Sequence, residues 1–231
     1  MKKIFATVLV VIIGAVIAYQ NELIQMPREG ERTVQQVNSN ELPANMQYDG
    51  KNQVVSINGN KPDFTENDLK LNKGSWQSFT DLDTLNRVGV ANAMLSKDLM
   101  PSAEREPLYV NPTGWKNKKT KTGWLYNRCH LVGYQLTGEN NNMKNLMTGT
   151  RSFNTPGMLT YENEVANYIR KTKNHVRYQV KPLFKGDELV ARGVQIQAQS
   201  IEDNQVQFNV IIFNVEQGVD IDYSTGRSTL K

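Results

Sequence analysis

Residues 126–164 read YNRCHLVGYQLTGENNNMKNLMTGTRSFNTPGMLTYENE. The stretch holds His130, one of two histidines in the chain, and Cys129, its only cysteine. Asparagines are dense, and Arg128, Lys144 and Arg151 supply positive charge. One histidine, several neutral oxygen donors, nearby carboxylates and scattered cations suit metal-assisted hydrolysis of a phosphodiester.

Upstream, Trp124-Leu125-Tyr126 enters the stretch as a strand, and residues 138–145 (GENNNMKN) read as a loop. Downstream, Asn154 is placed as a helix cap with Pro156 in the first turn. The helix is expected over residues 157–173, burying Met158, Val165 and Ile169 on one face. The chain then turns to strands. Residues 175–183 alternate through Val176, Tyr178 and Val180, Lys185-Gly186-Asp187 makes a turn, and strands follow over 188–199 and 206–215. An antiparallel meander after a helix gives an α+β class.

Nearer the N-terminus, residues 53–57 (QVVSI) read as a strand closed by Asn58-Gly59-Asn60. Residues 76–82 pack aromatics near a polar turn. Residues 83–100 fit either a helix or a buried irregular stretch, ended by Pro101. Residues 108–112 look strand-like. A loop over 114–123 carries Lys116, Lys118, Lys119 and Lys121, which reads equally as a solvated loop or a phosphate contact. Residues 220–231 read as a tail.

The 231 residues suffice for one domain with a sizeable core. A net charge of +4, half of it from Lys2 and Lys3, is too small to argue nucleic-acid binding, so phosphate attraction must come from local clustering. A single cysteine excludes an internal disulfide, and adjacent Cys129 and His130 do not make a zinc site. Residues 1–20 pair Lys2 and Lys3 with an apolar run over 4–18, short for a membrane span. The reading is a signal peptide or an uncleaved anchor, with the body exported in either case. Residues 21–44 form a polar linker and residues 45–231 the folded domain.

With NRCHLVGYQL at 127–136, KNLMTGTR at 144–151 and Asn154, the chain resembles the DNA/RNA non-specific endonucleases, the ββα-metal (His-Me finger) nucleases with an Asp-Arg-Gly-His signature. It looks closest to streptococcal secreted DNases of the streptodornase type and to membrane-anchored DNA-entry nucleases. The motifs RVGVA at 87–91, DLMP at 98–101 and PTGW at 112–115 extend the likeness to roughly residues 45–223. Two positions depart from the signature, with Asn127 for its Asp and Cys129 for its Gly.

The resemblance implies a ββα-metal core and a sequence-nonspecific, Mg²⁺-dependent endonuclease leaving 5′ phosphates, with Mn²⁺ the alternative ion. His130 would be the general base, Asn154 the metal ligand, and Glu162 the acid orienting the metal's waters, with Glu164 the other candidate. Asn145 would hold the base or phosphate, and Arg128 would contact phosphate or brace the site. Arg151, Lys144, Lys116 and Lys119 are expected to meet the substrate backbone. The expected partner is nucleic acid, mainly DNA, met by a monomer, with a membrane involved only if residues 1–20 stay attached. A non-catalytic nucleic-acid-binding homologue and an anchored nuclease for DNA uptake are the alternatives. Cys129 is expected to pack on the face of the strand opposite His130.

Overall fold

The structure is a computed structural model that describes residues 43, 46–121 and 123–231. The targeting segment and nearly all of the linker lie outside the described residues. Twelve strands form among the described residues. In chain order the first three are β1 (Val54–Ser56), β2 (Trp76–Phe79) and β3 (Ala91–Leu95). Next come the short pair β4 (Lys119–Thr120) and β5 (Gly123–Trp124), then β6 (Tyr126–His130) and β7 (Leu146–Thr150). The meander is β8 (Val176–Leu183), β9 (Gly193–Ser200) and β10 (Gln207–Phe213), and the chain closes with β11 (Val219–Asp222) and β12 (Arg227–Leu230). The α-helices are α1 (Tyr134–Thr137) and α2 (Leu159–Thr172).

Six strands make one antiparallel sheet in the order β1-β10-β9-β8-β3-β2. The alternation in β8 and β9 puts Val176, Tyr178, Val180, Ile196 and Ala198 on the core side, all fully buried. Helix α2 lays Val165, Ala166 and Ile169 into the same core, and the Tyr161 ring packs 4.9 Å from that of Phe208. Each such aliphatic side chain is worth about 1.5–3 kcal/mol of burial.

The opposite face of the sheet is polar and also covered. Gln179 donates to Asn92 Oδ1 (2.9 Å), Gln197 donates to Gln179 Oε1 (2.9 Å), and the Asp63 amide caps Gln197 Oε1 (2.9 Å). Arg177 lies between the rings of Phe64 (4.7 Å) and Trp76 (5.1 Å) and donates to Asn92 Oδ1 (2.6 Å). The segment ahead of β3 thus lies across this face, so β3 is covered on both sides. That corrects the helical option for residues 83–100, which form a loop, strand β3 and a 3-10 turn at Lys97–Leu99.

Other boundaries also move. Residues 108–112 form no strand, the lysine loop contains hairpin β4–β5, and the second meander strand begins at Gly193 because residues 188–192 are a loop. The expected tail is hairpin β11–β12, which buttresses the body. Tyr126 donates its hydroxyl to the Gly226 carbonyl (3.0 Å), Tyr223 to that of Asn214 (2.6 Å), and Lys118 to that of Ser228. A Cβ built on Gly226 would collide with the Gly114 carbonyl, so the position has no room for a side chain.

Candidate active site

Strands β6 and β7 pair in antiparallel register, Asn127 opposite Gly149 and His130 opposite Leu146. Through a turn of π-helical pattern at Phe153–Met158 the chain enters α2, completing a ββα unit. Alternation along β6 sends Cys129 inward, where its thiol is fully buried against Gly149 and Phe153. A Cβ on Gly149 would lie 2.5 Å from Cys129 Sγ, so this glycine, diagonal to the cysteine on the neighbouring strand, makes room for the thiol that replaces the signature's own glycine. Burial holds that thiol far above the ordinary range, and it is inert.

His130 closes β6 on the other face. Its Nε2 lies 2.8 Å from the carbonyl oxygen of Asn140. A carbonyl only accepts, so Nε2 carries the hydrogen and Nδ1 keeps its lone pair. Burial moves the imidazole below its ordinary value, the Arg105 charge adds to this, and the Asn140 carbonyl and Glu139 oppose it. The ring is therefore neutral at neutral pH, as a base must be.

Asn145 stands behind this strand end and is fully buried. Its Oδ1 accepts from the Val132 amide (2.9 Å), its Nδ2 donates to the Val132 carbonyl (3.0 Å), and its own carbonyl accepts from the Leu131 amide (2.9 Å). Its side chain is committed to backbone, so it fixes where β6 ends and has no free group for a phosphate.

Glu162, in the first turn of α2, reaches back over Gly133. A Cβ on Gly133 would lie 2.6 Å from the Glu162 carboxylate, so a side chain there would push the carboxylate from its place. Burial pushes this carboxyl up to about 7, with Arg105 partly offsetting the rise. Glu164, two residues on, is exposed. Asn154 is half-buried and does not cap the helix. Its Nδ2 donates to Thr155 Oγ1 (3.2 Å), and no hydrogen bond to its Oδ1 is present among the described residues.

The donor set fits a hard divalent ion. Asn154 offers an open carbonyl oxygen, and Glu162 is a carboxylate short of compensating positive charge. Among the described residues no group of three or more His, Cys, Asp or Glu could cage a metal. That combination suits a divalent ion that keeps most of its waters.

The expected cations separate. Arg128 is braced, with Nε donating to the Val110 carbonyl (2.6 Å), Nη2 to Asn111 Oδ1 (2.7 Å), and its guanidinium 4.7 Å above the Trp115 ring. Lys144 pairs with Asp81 at the surface. Lys116 and Lys119 are exposed, and the Arg151 guanidinium lies against Gly123 of β5. Arg87 is structural, bound to Asp83 (2.6 Å) and to the carbonyls of Gly186 and Glu188. One cation escaped the sequence reading. Arg105 lies in a loop held by the Tyr134 hydroxyl, which donates to the carbonyls of Ala103 (3.0 Å) and Glu104 (3.2 Å), and its charge is felt by both His130 and Glu162. Flanked by Glu104 and Glu106, it carries no motif or spacing that sets it apart in the sequence.

The family model for DNA/RNA non-specific endonuclease matches residues 67–202, which take in β2 through β9 and the whole ββα unit. The chain belongs to the DNA/RNA non-specific endonuclease family. It is 34% identical over 119 residues to a deoxyribonuclease of Streptococcus dysgalactiae subsp. equisimilis, a match covering 49% of this chain. The chain spans 36% of that relative's length. Among solved structures it resembles the nuclease NucA of Streptococcus agalactiae with a magnesium ion bound, at 27% identity and a TM-score of 0.70, over 80% of this chain and 89% of that one. It also resembles the Sda1 nuclease with a bound zinc ion, at 28% identity and a TM-score of 0.60, over 65% and 80% of the respective chains. The α+β class and the ββα-metal core expected of this family are the architecture found here.

Proposed function

We propose that this protein is an exported endonuclease that hydrolyses phosphodiester bonds of DNA, and of RNA where accessible, without sequence selection. The observation that carries the reading is the hydrogen bond that spends His130 Nε2–H on the Asn140 carbonyl and leaves Nδ1 basic. In this reading His130 Nδ1 takes a proton from the attacking water, and the Asn140 carbonyl steadies the imidazolium that results. Asn154 would hold a divalent ion and Glu162 would orient its waters, Mg²⁺ being the ion their oxygens suit, with Mn²⁺ the alternative. When bound, that ion supplies stabilisation of the charge that develops on the phosphate and on the leaving 3′ oxygen, leaving a 5′ phosphate. Arg105, whose charge reaches both His130 and Glu162, would meet the phosphate from the loop side, while Asn145 and Arg128 hold β6 in position. Contacts confined to the backbone give no sequence preference. Export follows from residues 1–20, cleaved or retained as an anchor, and cell fractionation separates the two.

The test is incubation with supercoiled plasmid and, separately, RNA, comparing Mg²⁺ with chelator and wild type with His130→Ala. Nicking and shortening that require both Mg²⁺ and His130 are expected. Folded wild-type protein that binds DNA yet cleaves nothing with Mg²⁺ or Mn²⁺ would hand the case to the non-catalytic binding reading, with Asn127 in place of Asp as its cause.

A further inference from the structure

Residues 107–138 contain Lys116, Lys118, Lys119, Lys121 and Arg128 and not one Asp or Glu. Hairpin β4–β5 lies within this acid-free stretch. Its Trp124 is 55% exposed, and its cross-strand partner Lys119 holds Nζ 5.5 Å from the indole centroid. A Cβ on Gly123 would lie 2.9 Å from Arg151 Nη1, which puts a second cation against the hairpin one residue before the tryptophan. Lys116 is exposed on the approach to the hairpin, whereas Lys118 is turned inward to the Ser228 carbonyl. A lone exposed tryptophan is ordinary on a protein surface. An exposed indole with a lysine over its face, in a stretch of chain that carries no acid, has the makings of a stacking platform for single-stranded nucleic acid, with cations for the phosphates and a ring face for a base.

We propose that hairpin β4–β5 is a second nucleic-acid contact, in which Trp124 stacks an unpaired base and Lys119, Arg151 and Lys116 hold the flanking phosphates. The proposal rests on the nuclease reading and adds to it a preferred substrate class, single-stranded or locally unpaired strands long enough to reach from the base to the platform. Trp124 precedes His130 by six residues of nearly continuous strand, about 20 Å at ~3.3 Å per residue. That span is about six nucleotides at the ~3.4 Å rise of a stacked strand and fewer in an extended one. A strand cut beside His130 is thus gripped several nucleotides away, and a shorter end cannot be gripped at all. An intact duplex keeps its bases stacked on one another and offers the platform only phosphates.

The experiment compares wild type, Trp124→Ala and Trp124→Phe, as full-length proteins with Mg²⁺, on a 30-nucleotide single strand, the corresponding 30-base-pair duplex and a 6-nucleotide strand. In parallel, binding of the 30-nucleotide strand is measured in chelator for His130→Ala with and without Trp124→Ala. Trp124→Ala is expected to cut kcat/KM on the long single strand about tenfold, mainly through KM, with a matching loss of binding and with Trp124→Phe recovering most of it. The advantage of the long over the short strand should collapse with it, while the duplex changes by less than about threefold. An unchanged single-strand KM, an equal loss on duplex and single strand, or no recovery with Trp124→Phe overturns the platform. If wild type cleaves none of the substrates, the nuclease reading fails on its own, and the binding arm still decides the platform.

Discussion

The six-stranded sheet and the ββα unit treat polar groups in opposite ways. On the sheet's covered face Asn92, Gln179 and Gln197 answer one another in a ladder, and Arg177 is boxed between two rings. In the ββα unit, among the described residues, His130 keeps an unbonded Nδ1, Asn154 an open Oδ1, and Glu162 a carboxyl that burial makes reluctant to ionise. Buried polar groups are normally paired, because an unpaired one costs about 1–3 kcal/mol. Most of the sheet's polar groups are matched and hold shape, although Gln77 Oε1, Arg177 Nε and Tyr178 Oη lack partners, whereas the open oxygen of Asn154 is partly exposed and can be completed from outside.

That contrast is broken if substitutions in the two regions have similar effects. The largest expected effect is His130→Ala, which should lower plasmid cleavage about a thousandfold while leaving the thermal midpoint almost unchanged. A variant that loses both together would mean the histidine belongs with the ladder. Next come Asn154→Ala and Glu162→Gln, each expected to lower cleavage about 10- to 100-fold and to raise the Mg²⁺ concentration needed for half-maximal rate. Near-normal rates and metal requirement in folded Asn154→Ala would remove it from the metal site.

Asn145 sharpens the contrast from inside the ββα unit, since it is matched there. Asn145→Ala strands the Val132 amide and carbonyl and should cost about 2–4 kcal/mol in denaturant unfolding, against about 1 kcal/mol for Gln179→Ala on the sheet. The smallest effect is in pH. Burial lowers the His130 value, so the acid limb of kcat/KM should fall below about 6.5, the ordinary histidine value, with the base still available there. For stability the sign is unfavourable on the acid side. The unfolded chain takes up the proton first, so the contribution is neutral above about 6.5 and stability is lost as pH falls towards the lowered folded value. A limb at or above 6.5 would mean the ring is not buried in the working enzyme.

Much of this was legible beforehand, and the residues say why. Val176, Tyr178 and Val180 alternate because β8 has one apolar face, and Val165 and Ile169 are four apart because α2 has one. Strand β3 was not legible, because with both faces covered ANAML has no period to read. Hairpin β11–β12 is short and polar and owes its order to partners far along the chain. At the site, spacing located His130, Asn154 and Glu162. It could not tell that Asn145 faces backbone, that Lys144 is taken by Asp81, or that Arg105 comes in from a loop, because those facts belong to three-dimensional neighbours.

The hydroxyl of Tyr126 reaches a carbonyl 100 residues later, and Gly226 closes on Gly114 across a similar interval. A ribosome delivers these partners in order. The strand that carries the histidine is therefore made well before the hairpin that braces its other end. Hairpin β11–β12 thus ties the basic approach to the site to the far end of the chain, and truncation before residue 219 would remove that brace while keeping strand β6.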